Sequence, residues 1–304
     1  MKKIPDETMD TILITGPTAS GKSALAVELA KSYGGEVVNA DSMQVYDTLR
    51  VLTARPDAAD MGGVAHHLYG TVPAGETFST GAWLRAAGPL VEAIRSRGKV
   101  PVFVGGTGLY FMALTGGLSE IPDVPPEIRA RWRRRLAEDG PWALHAELGA
   151  RDPEMADQLG PSDGQRLVRA LEILDATGRS LASLQARKAR ALVDPARARK
   201  LVVDPARPVL HARINNRFAG MLEAGAVEEV DALLRLGLPK DRPVMKAIGV
   251  SQIAAMLAGE LTREQVIAQA SAATRQYAKR QMTWFRNQMD ESWRRVDRAG
   301  RATA

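Results

Sequence analysis

The fold is decided by residues 11–23, which read TILITGPTASGKS. The run from Thr11 to Ile14 is short, apolar and rich in β-branched residues, which predicts a buried strand. Gly16 to Ser23 then matches the pattern G-x-x-x-x-G-K-[ST], and apolar residues recur at helical spacing over 23–33. A strand, a glycine-rich loop and a helix in this order are typical of a phosphate-binding P-loop.

The chemistry of this loop predicts a diphosphate or triphosphate site without deciding between them. Its glycines let backbone N–H groups point at an anion, and the N-terminus of the following helix adds partial positive charge. Lys22 is placed to contact phosphate oxygens, and the Ser23 hydroxyl is placed to bind Mg²⁺. The expected diphosphate-binding residues are Gly16, Pro17, Thr18, Ala19, Ser20, Gly21, Lys22 and Ser23.

Two further strands are predicted at residues 36–40 and 100–104, with a helix at 80–97 between them. This alternation indicates an α/β fold with a parallel sheet and crossover helices. Ligands bind beyond the carboxyl ends of such strands, so Asp41 and Thr107 should face the P-loop. Asp41 suits a general base or a metal partner, with turn capping as the alternative; Thr107 has the same alternative.

The character of the chain changes after about residue 118. Prolines interrupt the sequence there, and the pattern from Glu127 to Lys200 is helical and rich in arginine. We therefore predict a P-loop-type α/β core (residues 1–119 and 199–304) with an inserted, mostly helical domain (residues 120–198). In the core, Leu201-Val202-Val203 reads as a strand, and helices follow at 208–236 and 262–289.

Composition narrows the function classes. The 304 residues include no cysteine, which excludes disulfides, cysteine-ligated zinc and thiol nucleophiles. The net charge of +6 favours a polyanionic partner such as RNA, but only weakly. No apolar run approaches the roughly 20 residues that span a bilayer, and the N-terminus lacks a signal core. We expect a cytoplasmic protein without a membrane partner, and a monomer as the simplest state.

Six blocks together resemble one family, the tRNA dimethylallyltransferases, also called tRNA isopentenyltransferases. They are GPTASGKS (16–23), NADSMQVYDTLRVLTARP (39–56), HHLYG (66–70), FVGGTGLYF (103–111), GQRLVRALEI (164–173) and ATRQYAKRQMTWFR (273–286). The P-loop alone is generic, whereas this combination is specific and covers nearly the whole chain. The resemblance implies Mg²⁺-assisted transfer of a dimethylallyl group from dimethylallyl diphosphate to N6 of adenosine 37 in tRNA, with release of diphosphate.

The resemblance also implies roles for particular residues. Asp41 aligns with the family's aspartate and would accept a proton from the exocyclic amine, which is a poor nucleophile. Lys22, the loop amides, Mg²⁺ on Ser23 and an arginine, Arg217 rather than Arg213, would compensate the charge of the leaving diphosphate. Thr107 aligns with a family threonine that contacts tRNA. The implied tRNA-binding residues are Asp41, Ser42, Met43, Gln44, Thr107, Arg129, Gln165, Arg166, Leu167, Val168 and Arg169.

Some features leave alternatives open. The arginines that follow Arg129 form either a phosphate-binding stripe or a solvated helix face; they are Arg131, Arg133, Arg134 and Arg135. Leu52 and Val250 stand where the family usually has glycine and tyrosine, and Arg55 replaces a lysine. A P-loop NTPase or kinase remains the rival function, with Asp204 as its Mg²⁺ aspartate. A non-catalytic RNA-binding protein would leave the P-loop and Asp41 without a role.

Overall fold

The computed structural model describes residues 9–119, 121–186 and 189–303. They form two compact units: a core unit up to Thr115 and from Leu192 onward, and an insert unit, Gly116–Ala191. The insert unit begins and ends earlier than the expected 120–198, because the chain after Ala191 already packs into the core unit. Val193 is fully buried there, and its amide donates to the carbonyl oxygen of Leu114.

Within the described residues, the core unit contains a six-stranded parallel sheet of order β3-β2-β4-β1-β5-β6. The strands are β1 (Thr11–Thr15), β2 (Gly35–Asn39), β3 (His66–His67), β4 (Val100–Gly105), β5 (Ala198–Val203) and β6 (Arg294–Val296). This confirms the predicted α/β fold and its four predicted strands; β3 and β6 are additional. Because β1 lies centrally between β4 and β5, the P-loop after β1 lies in the middle of the sheet's carboxyl edge.

The helices follow the predicted pattern with one correction. They are α1 (Lys22–Tyr33), α2 (Ala58–Met61), α3 (Thr80–Ser96), α4 (Gly108–Gly116), α5 (Pro126–Arg151), α6 (Pro153–Asp157), α7 (Gly164–Thr177), α8 (Leu181–Gln185), α9 (Arg207–Glu223), α10 (Ala226–Arg235), α11 (Val250–Leu257) and α12 (Arg263–Gln288). The single helix expected over 208–236 is wrong. The chain breaks between α9 and α10 because Gly225 adopts the left-handed conformation, with φ 106°.

The sheet has an apolar layer on each face, as alternation along β1 requires. Ile12 and Ile14 pack on the face covered by α1, whereas Leu13 packs on the opposite face with Trp83. The buried Trp83 indole donates to the carbonyl oxygen of Asn39 at 2.9 Å. The core therefore fixes the end of β2, two residues before Asp41.

The insert unit is helical, with its own apolar core around Trp132 on α5. Helix α5 is interrupted at Gly140, where φ is 77°. The indole N–H of Trp132 donates to Asp175 at 2.6 Å, and Arg131 and Arg151 form ion pairs with the same carboxylate. In the ranges that the structure describes, neither unit contains a helix with the length and apolarity needed to cross a membrane.

Candidate active site

The P-loop connects β1 to α1 and ends in an open helix N-terminus. Ala19 and Gly21 adopt left-handed conformations, with φ of 62° and 93°. Gly21 is the N-cap residue and offers no side-chain cap to the helix. The first amides of a helix have no partner within it, so those at the start of α1 are available to an anion.

Lys22 adds a positively charged group, and its pKa depends on the neighbouring groups of the site. Its ammonium group donates to the carbonyl oxygen of Pro17 at 3.2 Å. Burial lowers the pKa of Lys22 to about 8, the nearby Asp41 carboxylate counteracts this, and the Arg217 charge adds to the lowering. A bound phosphate would stabilise the charged form of Lys22, since it adds negative charge at close range.

Asp41 is held at the end of β2 with one carboxylate oxygen occupied. The Asn39 side chain accepts from the Asp41 amide at 2.9 Å and donates to the Asp41 carbonyl oxygen at 3.0 Å. Oδ1 of Asp41 accepts from the Met43 amide at 2.9 Å. Oδ2 points toward Gly106, where an added Cβ would lie 3.3 Å from it. The turn is thus built on Oδ1, and Oδ2 is the oxygen that suits proton transfer.

Thr107 ties the loop after β4 to the loop after β2. Its hydroxyl oxygen accepts from the Ser42 amide at 2.9 Å and donates to the Ser42 hydroxyl at 3.3 Å. Its own amide donates to the carbonyl oxygen of Ala40 at 3.2 Å. The structure therefore brings together Asp41, Ser42 and Thr107, as the sequence predicts for adjacent parallel strands.

These loops border a cleft with two lobes. The polar lobe, of about 400 Å³, is lined by Lys22, Ser23, Asp60, His66 and Arg213, among others. The apolar lobe, of about 360 Å³, is lined by Met43, Leu52, Ile214, Phe218, Met221 and Tyr277, among others. Asp41, Arg217 and the P-loop residues Thr18 and Ala19 line both lobes. A charged group at Asp41 thus lies where the polar space meets the apolar space.

The two arginines of α9 contact different parts of the site. Arg213 donates to the carbonyl oxygen of Ser20 at 3.1 Å and so supports the P-loop. Arg217 lines both lobes; burial lowers its pKa, and the Asp41 carboxylate counteracts this. Arg217 is therefore better placed than Arg213 to contact a ligand group beside Asp41.

Glu229 and Gly249, which were not predicted as site residues, help to shape the cleft. The Glu229 carboxylate accepts from the amides of Arg50, Val51 and Leu52 at 3.1, 2.7 and 3.1 Å, which fixes one wall. Leu52 fits there because Gly249 lacks a side chain: a Cβ would lie 2.6 Å from Leu52 Cδ1. The Gln44 side-chain amide donates to the carbonyl oxygens of Thr53 and Ala54, both at 2.9 Å, and its expected contact with tRNA stays a prediction.

Gln281 on α12 is a further residue that was not predicted as part of the site. It is 5% exposed, accepts from the Thr18 amide at 2.9 Å and donates to the Gly106 carbonyl oxygen at 2.9 Å. Its spacing from the buried Ala278 and Phe285 places it on the inner face of α12. That spacing was a usable sequence signal, because a glutamine at a core position requires buried partners.

The sequence-predicted tRNA residues of α7 divide by exposure. Gln165 and Arg166 are exposed, whereas Leu167 is fully buried and Val168 is 6% exposed in the insert core. The Leu167 and Val168 side chains pack against other apolar groups and are not available to tRNA, so the predicted tRNA contact of this segment would have to use its exposed side chains or its backbone. Arg169 forms an ion pair with Glu172 at 3.4 Å.

The arginines at the start of α5 also divide. Arg131 is paired with Asp175, and Arg135 is paired with Asp139 and Glu147. Two arginines of the predicted phosphate-binding stripe are therefore already paired with acidic residues of the insert unit. Arg129 is half-buried and Arg134 is exposed, so both remain candidates for RNA contact.

The residues present fit a Mg²⁺ ion that is held mainly by the oxygens of a bound phosphate group and by water. The described ranges contain no cluster of three or more histidine or acidic side chains that could hold a metal by itself. Mg²⁺ usually takes one or two protein ligands and completes its shell with phosphate oxygens and water. The Ser23 hydroxyl, at the start of α1 in the polar lobe, suits this arrangement. Asp204 is instead paired with Arg295 at 2.9 Å.

Comparisons with known proteins point to one family. A family model described as IPP transferase matches residues 44–288, and one described as isopentenyl transferase matches residues 9–69. The tRNA dimethylallyltransferase of Rhizobium meliloti (strain 1021) is 65% identical, with 95% of each chain covered. That of Agrobacterium fabrum (strain C58) is 60% identical over 97% of this chain and 99% of the relative.

Solved structures extend the likeness to the fold. The tRNA isopentenylpyrophosphate transferase of Bacillus halodurans is 35% identical, with a TM-score of 0.67 over 95% of this chain and 90% of the other. A eukaryotic dimethylallyltransferase acting on tRNA is 27% identical, with a TM-score of 0.82 over 95% of this chain and 74% of the other. Because the family model matches most of the chain and the relatives are 60% and 65% identical over nearly all of it, the chain belongs to the IPP transferase family.

Proposed function

We propose that this protein transfers a dimethylallyl group from dimethylallyl diphosphate to N6 of adenosine 37 in tRNA and releases diphosphate. The observation that carries this proposal is the position of Asp41 and Arg217 at the junction of the two lobes. An allylic diphosphate has a charged end and an apolar end joined at C1, the carbon that reacts. A cleft with a polar lobe, an apolar lobe and a carboxylate between them matches that molecule.

The polar lobe would bind and stabilise the leaving group. The open amides of α1, the Lys22 ammonium and the Arg217 guanidinium supply positive charge where the diphosphate gains negative charge as the bond to C1 breaks. Mg²⁺ held by the Ser23 hydroxyl would add neutralising charge on the diphosphate oxygens. The P-loop thus serves to bind a leaving group, and no phosphoryl group is transferred.

Asp41 would act on the nucleophile. As N6 forms its bond to C1, the C1–O bond breaks, and its electron pair leaves with the diphosphate. The amine becomes more acidic as this bond forms, and Oδ2 of Asp41 takes its proton. Oδ1 remains bonded to the Met43 amide throughout, so the carboxylate keeps its orientation.

The tRNA would reach this cleft by presenting an unstacked base. An adenine within an anticodon loop must leave its stack to enter a closed site, as other base-modifying enzymes require. The exposed Gln165, Arg166 and Arg134 of the insert unit, with Arg129, are the candidate contacts to RNA. Their substitution by alanine should weaken tRNA binding and leave diphosphate binding unchanged, which filter binding and calorimetry would separate.

The test uses purified protein, Mg²⁺, dimethylallyl diphosphate labelled in the alkyl group, and an unmodified anticodon stem-loop. Label should appear in the RNA and map to adenosine 37, and a stem-loop with guanosine at that position should take up none. Labelled RNA in both cases, or in neither, would contradict the proposal. ATP-dependent phosphorylation of a small molecule would favour a kinase instead.

A further inference from the structure

We propose that Gln281 is a positioning residue that fixes the P-loop relative to Asp41. It thereby aligns the leaving diphosphate with the general base, Asp41. This inference rests on the proposed transfer reaction. Gln281 belongs to α12, which contributes no residue to the P-loop, to β2 or to β4. It reaches the reaction centre only through its side chain.

The geometry has two contacts of equal length. Oε1 of Gln281 accepts from the Thr18 amide at 2.9 Å, and Nε2 donates to the Gly106 carbonyl oxygen at 2.9 Å. One amide group thereby joins the loop after β1 to the loop after β4. Only a side chain with both an acceptor and a donor at its end can make both bonds.

Gly106 connects Gln281 to Asp41, the proposed general base. A Cβ on Gly106 would lie 2.3 Å from Nε2 of Gln281 and 3.3 Å from Oδ2 of Asp41, so all three groups are closely packed. The next residue, Thr107, holds the loop after β2 through Ser42. The chain of contacts therefore runs from the P-loop through Gln281 and Gly106 to Asp41.

The hydrogen bond to Gln281 gives the backbone amide of Thr18 a structural role. The Thr18 N–H belongs to the phosphate-binding motif, but it donates to Gln281. The diphosphate would then be held by the remaining amides of the loop and of the α1 N-terminus, while the Thr18 amide anchors the loop. A displacement of the loop by about 1 Å moves the leaving oxygen out of line with N6, which can cost on the order of 100-fold in rate.

Substitutions of matched size distinguish this role from simple packing. Gln281→Met keeps the volume and removes both hydrogen bonds. Gln281→Glu keeps the acceptor for Thr18, but its ionised form has no proton to give to Gly106. When protonated, the glutamic acid can again donate to the Gly106 carbonyl oxygen and accept from Thr18. Gln269→Glu, on the exposed face of the same helix, is the control for added charge.

The pH dependence is the decisive readout. Burial and the neighbouring carbonyl oxygen and carboxylate should raise the pKa of a glutamate at position 281. The charged or titratable groups that line the two lobes of the cleft are Lys22, Asp41, Arg55, Asp60, His66, Arg213, Arg217, Lys246, Tyr277 and Arg280. Because the wild-type enzyme carries the same groups, the ratio of variant to wild-type kcat cancels their titration. That ratio should rise at least about tenfold as the pH falls from about 9 to about 6.

Gln281→Met should lower kcat by about 10- to 100-fold at every pH, and change the Kd for inorganic diphosphate by less than about threefold. A kcat ratio for Gln281→Glu that does not change with pH would overturn the inference. So would a Kd for diphosphate that weakens in both variants as much as kcat falls, since the loop would then have lost binding instead of alignment. If the wild-type protein transfers no label, the proposed function fails instead.

Discussion

Replacing Asp41 by asparagine should remove most of the transfer activity and leave the cleft intact. The asparagine side chain has the same shape, and its oxygen can still accept from the Met43 amide, now 2.9 Å from Oδ1. It cannot accept a proton from N6. General-base catalysis contributes roughly 10²–10⁴-fold, or about 3 to 5 kcal/mol of transition-state stabilisation, and kcat should fall by that factor.

The same substitution should change how the protein binds diphosphate at high pH. Burial holds the pKa of Lys22 at about 8, and the Asp41 charge keeps it from falling further. Without that charge, the pKa of Lys22 drops below about 8, and the ammonium group loses its proton at a lower pH. The diphosphate affinity of Asp41→Asn should therefore decrease more steeply than that of the wild type between about pH 6.5 and about pH 8.5.

Single-turnover transfer and calorimetric titration with inorganic diphosphate, both at these two pH values, measure the two effects. Asp47→Asn is the control, because Asp47 is exposed and is not among the residues that line either lobe. A kcat within about threefold of wild type would refute the assignment of Asp41 as the base. Identical pH dependence of diphosphate binding in the two proteins would refute the coupling of Asp41 to Lys22.

Three further predictions follow from the packing. Gly106→Ala should lower kcat at least about tenfold, because its Cβ would lie 2.3 Å from Gln281 Nε2; steady-state rates equal to wild type would contradict this. Trp132→Ala should destabilise the insert unit by about 3–5 kcal/mol in urea unfolding and weaken tRNA binding, with diphosphate binding unchanged as the check. Burial opposes ionisation of Glu36, but hydrogen bonds from Arg97, Lys99 and His67 lower its pKa to about 2. Glu36→Gln should therefore cost about 3 kcal/mol at pH 7, and this difference should shrink as the pH falls from about 4.5 toward 2; a pH-independent difference would contradict the linkage.

The core of the fold could be predicted because its signals are local. Residues 11–23 contain a strand, a turn and a helix start in sequence, and the structure confirms the predicted strand and helix as β1 and α1. The strands β3 and β6 have two and three residues, too few to show a period. The break at Gly225 was missed because a single glycine is also tolerated inside helices.

The site could be predicted only in part, for a different reason. Asp41 and Thr107 follow predicted parallel strands, so topology alone brings them together. Gln281 is separated from Thr18 by 263 positions in the sequence and from Gly106 by 175 positions. No local pattern specifies which residues such a side chain contacts. Leu167 and Val168 were assigned to tRNA from a motif, and a motif does not tell which of its side chains face inward.

In the proposed reaction, the P-loop binds the leaving diphosphate and the alkyl group is transferred to the RNA. The most direct test supplies dimethylallyl diphosphate labelled both at C1 and at its terminal phosphorus, with the stem-loop and Mg²⁺. If the alkyl group is transferred, the carbon label enters the RNA at adenosine 37, and all of the phosphorus label appears as free diphosphate in equal amount. Phosphorus label in the RNA, or diphosphate release without carbon transfer, would contradict it.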